Sequence, residues 1–434
     1  MQKRIFDYLG LGLILIIPIA TFIGKAVIDI NLSLIAVIFL IKIIVEKDYS
    51  VFNQKWFKIL LVFWVYLVFI SLFAKYPEIA FKRSIPWIRF PVFALALSQW
   101  VFKERTNVIL FFKSLLLTLI FIYFDSFWQI VTGTDLFGVN AGMTGDDKSA
   151  LLITAFLKDH ILGFHITFLA FPLLIYMFDR ALSKELSYRK KILYIVFIGI
   201  TFVIVTFSGD RMAWLLMCFG ILITLLFYQN YRRYIIYVMV IGVLGLASIF
   251  FIKPEVFNRQ IVMTYNDLSN FWSSSYGLNF KNGYAVGKTS PIIGVGAKHY
   301  RYILQEDICG IPHDMTMPME EVRKICPGHY THPHNFYVEI FAEAGIIGLL
   351  IFLYFLYEIY RNLYKERKLL NKNPILFGAA LTFFLRFWPI ASSSSFYAAW
   401  TVSSGWLMVG LLYAIIQIDK DGNIKIWNDG NKRA

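Results

Sequence analysis

His334 and Asn335 close a long polar stretch and run directly into an apolar one, Phe336-Tyr337-Val338-Glu339-Ile340-Phe341-Ala342-Glu343-Ala344-Gly345-Ile346-Ile347-Gly348. Imidazole changes protonation near neutral pH, so a histidine held where water meets bilayer is a ready general base. Two other groups of residues carry matching chemistry. Ser208-Gly209-Asp210-Arg211 forms a tight turn between apolar runs, and a guanidinium there grips phosphate bidentately. Lys288, Lys298 and Arg301 flank Pro291-Ile292-Ile293-Gly294-Val295-Gly296. Glycines permit close backbone approach to a ligand, and three cations add positive potential. Each group also has a plainer reading: Arg211 snorkelling to headgroups, an ordinary Gly-x-Gly turn, and His334 capping the next helix beside Asn335. From these residues alone the alternatives stay open.

His329, His332 and His334 are spaced closely enough to raise a zinc site. Pro333 restricts the backbone between two of them, and the next carboxylate, Glu339, already lies in the apolar run. No metal is expected. Cys309 and Cys326 share one polar stretch, where an oxidising compartment would let them pair. Cys218 sits within an apolar run and reads as a small buried residue.

The elements that must position these groups are membrane spans. Hydrophobic residues make up 58% of the 434-residue chain and charged residues only 16%, which excludes an ordinary soluble domain. Apolar runs of roughly 17–25 residues, the length that crosses a bilayer as helix, recur throughout. About twelve spans are expected, centred near residues 15, 38, 65, 93, 115, 170, 199, 220, 243, 347, 383 and 407. The first lacks a small-residue cleavage site and reads as a retained helix. The class is therefore all-α, a polytopic inner-membrane protein.

Lys and Arg cluster in alternate loops: 47–58, 103–105, 180–191, 232–233, 361–372 and the tail from 420. The positive-inside rule makes that side cytoplasmic and supplies much of the net charge of +14, so nucleic acid is not an expected partner. The periplasmic side then receives a medium loop near 125–160 and a large one at 253–335. The chain divides into 1–252 with nine spans, the large loop, and 336–434 with three spans and a cytoplasmic tail. Lys82, Arg83 and Arg89 fall at the outer end of the fourth span, against the charge rule, and an anionic lipid-linked substrate on that face would explain them. A transporter is the rival from another class, but no internal repeat is visible.

Taken in order, these motifs resemble the O-antigen ligase/polymerase superfamily of membrane glycosyltransferases. The resemblance is carried by His334-Asn335 with Glu343-x-Gly345-x-x-Gly348, by the Ser-Gly-x-Arg turn ending at Arg211, and by residues 291–296. Asp125, Gln129 and Gly133 to Gly138, and Arg386-Phe387-Trp388-Pro389 with the serines after it, extend it over about 120–410. It implies a GT-C-like fold and transfer of glycan from undecaprenyl pyrophosphate to a hydroxyl of the lipid A–core oligosaccharide, with membrane lipids around both, and with neither metal nor ATP. It implies His334 as general base and Arg211 on the pyrophosphate. Arg301, Lys288, Lys298, Asn335, Arg89, Arg83, Glu343 and Arg386 become candidates for substrate binding. One departure stands out: the family often has an Arg about fifteen residues before the Pro-x-x-Gly-x-Gly element, where this chain reads Tyr276-Gly277-Leu278-Asn279-Phe280. Lys281, Lys288 or Arg301 would have to replace it. An O-antigen polymerase, or less closely a protein O-oligosaccharyltransferase, would share the donor site.

Overall fold

A computed structural model describes residues 2–140, 142–144, 147–157, 162–227, 253–312, 317–420 and 424–427, with scattered positions between 234 and 251. Helices α1 (Gln2–Ile23), α2 (Lys25–Glu46) and α3 (Lys55–Ile70) are followed by a proline-broken pair, α4 (Pro77–Ser84) and α5 (Arg89–Gln99). Next come α6 (Arg105–Thr132), a two-stranded ribbon of β1 (Gly142–Thr144) and β2 (Asp147–Leu152), then α7 (Leu162–Leu182), α8 (Tyr188–Phe207) and α9 (Arg211–Phe227). The large loop folds around α10 (Met263–Ser269), α11 (Ser275–Thr289) and α12 (Met319–Ile325). The chain finishes with α13 (Phe336–Lys365), α14 (Pro374–Arg386) and α15 (Ala399–Ile418).

Among the described residues, nine segments are long and apolar enough to cross a membrane, with two shorter apolar helices, α9 and α14. Eleven of the expected span centres fall within these; the centre near 243 lies outside the described residues. Exposed Ile30, Ile44, Leu117, Leu193 and Val203 on α2, α6 and α8 present the apolar surface that hydrocarbon chains cover. The protein is thus an all-α multi-pass membrane protein carrying one small ribbon.

The expected start of the medium loop needs one correction. Asp125 and Gln129 lie inside α6, which continues to Thr132 and is capped by Gly133 in the left-handed region. Both side chains bind the loop that follows: Asp125 accepts the Leu136 N–H, and Gln129 accepts those of Thr154 and Ala155. The polar residues that mimic a loop are a buried helix end satisfying the returning backbone.

Charge separates the two ends of the bundle. At the end bearing the tail, Arg105 meets Asp419, Lys55 meets Glu358, and Lys425 meets Glu185. Trp427 packs on Tyr176 and Tyr194, anchoring the segment beyond α15. At the other end, the elbow between α3 and α4 clasps the large loop. Lys75 pairs with Glu306 and Asp307, and the Tyr76 N–H donates to the His299 Nε2 atom.

Val286, Tyr300, Ile303, Leu304, Ile311, Val322 and Cys326 of the loop form a small second core, closed by Ala342 of α13. Cys309 and Cys326 are linked there, with Cα atoms 5.7 Å apart. A bridge closing a loop of this size typically contributes about 3 kcal/mol in the chain-entropy model. Protein purified without reductant should yield the two linked peptides in a non-reduced digest, and Cys309→Ser/Cys326→Ser should melt earlier. Two free thiols in that digest would contradict the pairing.

Candidate active site

The site is built around the first turn of α13. Asn335 caps it: its Oδ1 accepts the N–H groups of Tyr337 and Val338, at 3.0 and 3.1 Å. Its amide donates to the carbonyls of Pro389 and Ala391, tying the turn to the segment between α14 and α15. Because Asn335 does the capping, the His334 ring is left out of it. The His334 backbone sits at φ 54°, and its carbonyl accepts the Ser393 N–H at 2.7 Å. Pro333 is buried against Gly283 of α11, where any side chain would collide with it.

Pro291–Gly296 and the Glu-x-Gly-x-x-Gly run are halves of one structure. Gly345, at φ 65° and ψ −170°, breaks α13. The exposed backbone is stitched to the loop: Val295 N–H to Ala342 O, Gly296 N–H to Glu343 O, Ile346 N–H to Pro291 O and Ile347 N–H to Ile292 O. A Cβ at Gly345 would lie 2.2 Å from the Ile292 oxygen, and one at Gly294 would lie 2.4 Å from the Ala344 nitrogen. The glycines therefore admit the backbone of α13, not a ligand. Of the two readings the sequence left open for that turn, these contacts support the structural one, and the stitch fixes Lys298 and Arg301 relative to His334.

Lys298 follows the stitch with its own backbone at φ 63°. Four non-glycine residues among those described have positive φ, and Lys298 and His334 are two of them. Such strain, of order 1–3 kcal/mol, persists only where surrounding contacts over-determine it, and it clusters at functional sites. The His332 and His334 rings lie 4.1 Å apart, with Tyr330 edge-on to His334 at 5.1 Å. Burial, assisted by the Lys298 charge, lowers the His334 imidazole to about 4. His332 is lowered to about 2 by burial, the His334 ring and the charges of Lys298 and Arg301. Both rings are thus neutral at pH 7. Arg301 Nε and His332 Nε2 are buried without a hydrogen-bond partner among the described residues. Leaving such atoms unpaired costs about 1–3 kcal/mol each, so oxygen atoms of a ligand would be welcome there.

Arg211 opens α9 after the turn at Gly209, whose φ is 68°. Its guanidinium pairs with Asp267 at 2.7 Å and lies 5.8 Å from the Tyr276 ring centroid. The preceding Asp210 is pushed up to about 6, chiefly by burial, and accepts the Ala213 N–H. Tyr276 and Gly283 stand seven residues apart on α11, about 10 Å along its axis. The first turn of that helix therefore touches Arg211, and its middle touches the His334 loop.

Residues 194–353 match the family model described as O-antigen ligase. Over that segment the chain is similar to the O-antigen ligase family. Curated proteins give no match to it. The matched O-antigen ligase segment contains Arg211, Lys298, Arg301, both histidines, Asn335 and the stitched glycines. Its members are membrane glycosyltransferase-like enzymes of the ligase/polymerase type.

The other candidates fall in different places. Lys288 is exposed on α11, 4.7 Å from the Tyr284 ring centroid. Arg83 is exposed on α4, and Arg89 pairs with Asp29 at 2.9 Å. Glu343 is fully buried and spends its oxygens on the N–H groups of Lys298 and Tyr300. Arg386 is sealed among the rings of Phe164, Phe168 and Phe336 and donates to Thr401 O. It stands beside the His334 turn without reaching solvent. Among the described residues no group of three His, Cys, Asp or Glu side chains is placed to hold a metal. Sequence reasoning gave no role to Glu339, Ser395 or Tyr276 and did not mention Asp267. Only Glu339 left a signal, its spacing of four residues from Glu343 on one helix face.

Proposed function

We propose that the protein transfers glycan from an undecaprenyl-pyrophosphate-linked donor to a hydroxyl of the lipid A–core oligosaccharide, at the periplasmic face of the inner membrane. The observation that carries this reading is the convergence of a neutral histidine pair with Lys298 and Arg301, and of Arg211 one helix away, on a single end of the bundle. His334 takes the proton from the acceptor hydroxyl as its oxygen bonds to the anomeric carbon. The bond from that carbon to the pyrophosphate oxygen breaks, and undecaprenyl pyrophosphate leaves with the electron pair. Arg211, Arg301 and Lys298 meet the negative charge that grows on the leaving group. The pyrophosphate linkage supplies the driving force, so the reaction draws on no ATP. The bilayer holds both lipid-borne substrates in one plane, which turns their encounter into an oriented one.

Surface polysaccharide from a deletion strain tests the assignment. Lipid-linked polymer that is made but never attached is the expected result. Single-repeat lipopolysaccharide would instead identify a polymerase, and unchanged polysaccharide would overturn both.

A further inference from the structure

Glu339 has no place in the chemistry described so far, yet it lies on the first turn of α13, fully buried, beside the candidate base. Its Oε2 accepts the Phe396 N–H at 2.7 Å, a contact that serves the packing of the segment before α15. Its Oε1 does something else: it accepts the Ser395 hydroxyl at 2.6 Å and stands 3.7 Å from the Lys298 ammonium. The Lys298 Nζ atom in turn donates to Ser395 Oγ. One turn later, Glu343 holds the Lys298 backbone N–H at 2.6 Å. Two buried carboxylates four residues apart therefore grip one lysine at both ends.

We propose that Glu339 is a positioning residue for glycan transfer: through Ser395 it fixes the Lys298 ammonium beside the His332–His334 pair. A lysine side chain left to itself has a long flexible stem and turns its ammonium to water. A buried carboxylate with a hydroxyl relay removes that freedom and keeps the charge where the leaving pyrophosphate gains its own. The serine run after Pro389 thereby acquires a task. Ser393 anchors the His334 carbonyl, and Ser395 anchors the cation opposite. The inference rests on the function proposed above.

The experiment uses full-length protein in nanodiscs and two readouts. Trace acetylation by acetic anhydride, quantified on peptides with the exposed Lys281 as internal reference, reports how tightly Lys298 is held, whether or not glycan moves. Transfer from a lipid-linked donor reports the consequence. In Glu339→Gln, Lys298 should label several-fold faster. The kcat should fall by up to about 10²-fold, the scale of a small misplacement in an active site, with the acceptor KM unchanged. Ser395→Ala, which leaves the carboxylate in place, should move both readouts the same way and serves if the buried substitution impairs folding. Lys298→Met with Glu339→Gln should be no slower than Lys298→Met alone. Unchanged Lys298 labelling in both variants, or an additive loss in the double variant, overturns the proposal. Wild-type protein that labels as expected yet transfers no glycan overturns the function proposed above and leaves the hold on Lys298 standing.

Discussion

Replacing His334 with alanine should leave a protein that inserts normally and still binds donor, yet transfers glycan about 10²–10⁴ times more slowly, the usual cost of removing a positioned base. Insertion should survive because Asn335, not His334, caps α13, and because the His334 carbonyl that meets Ser393 belongs to the backbone. His332→Ala is the control and should be much milder. The reverse pattern would make His332 the base, and failure of both variants to accumulate would point to a purely structural turn.

The pH profile gives a second check on the same residue. His334 is faced by His332, Tyr330 and Lys298, and the only effect raising it is the hydrogen bond at Ser393. A neutral base is lost on protonation, so activity falls on the acid side. In free enzyme the imidazole is lowered to about 4, which puts the acid limb of kcat/KM well below the ordinary histidine value of 6.5. Bound pyrophosphate brings negative charge against the same cations and favours the imidazolium, so the acid limb of kcat should lie at higher pH. Coincident limbs would mean that donor and base do not share a site. For folding, the sign is that of a depressed group: the unfolded chain binds the proton more readily. Stability associated with neutral His334 is therefore full above about 6.5 and lost as pH falls toward 4.

Arg211→Ala should lower kcat/KM for the lipid-linked donor by about 10²–10³, the scale of losing one preorganised donor to a developing charge. Arg211→Lys should recover little, because an ammonium is a point charge and cannot reproduce a planar fork. In the structure, Asp267 holds this guanidinium and Tyr276 lies against it, leaving its side chain 18% exposed. Full activity in the lysine variant would show that charge alone suffices, and normal activity in the alanine variant would remove Arg211 from the site. Arg386→Lys makes a poor comparison, since that cation is enclosed by three phenylalanine rings and the effect would mix packing with charge.

The sequence by itself determined the membrane architecture. Span length is set by bilayer thickness, and hydrocarbon tolerates few charges, so apolar runs read directly as helices. It also placed His334 at the mouth of a helix, because a polar stretch meeting an apolar run marks that boundary wherever the chain later folds. It determined much less about what the polar residues do. Asp125 and Gln129 looked like loop residues, yet they end a helix, because periodicity ignores which backbone a side chain will satisfy. Gly294 and Gly345 lie fifty-one positions apart, and only their contact across the break in α13 explains both. Glu339 resembled a stray charge in a span until Ser395 and Lys298, from two other segments, arrived beside it. A cation's partner is a matter of distance in space. Lys298, Arg89, Arg211 and Arg386 all carry one positive charge, and the fold gives them a relay, an aspartate, a second aspartate and an aromatic cage.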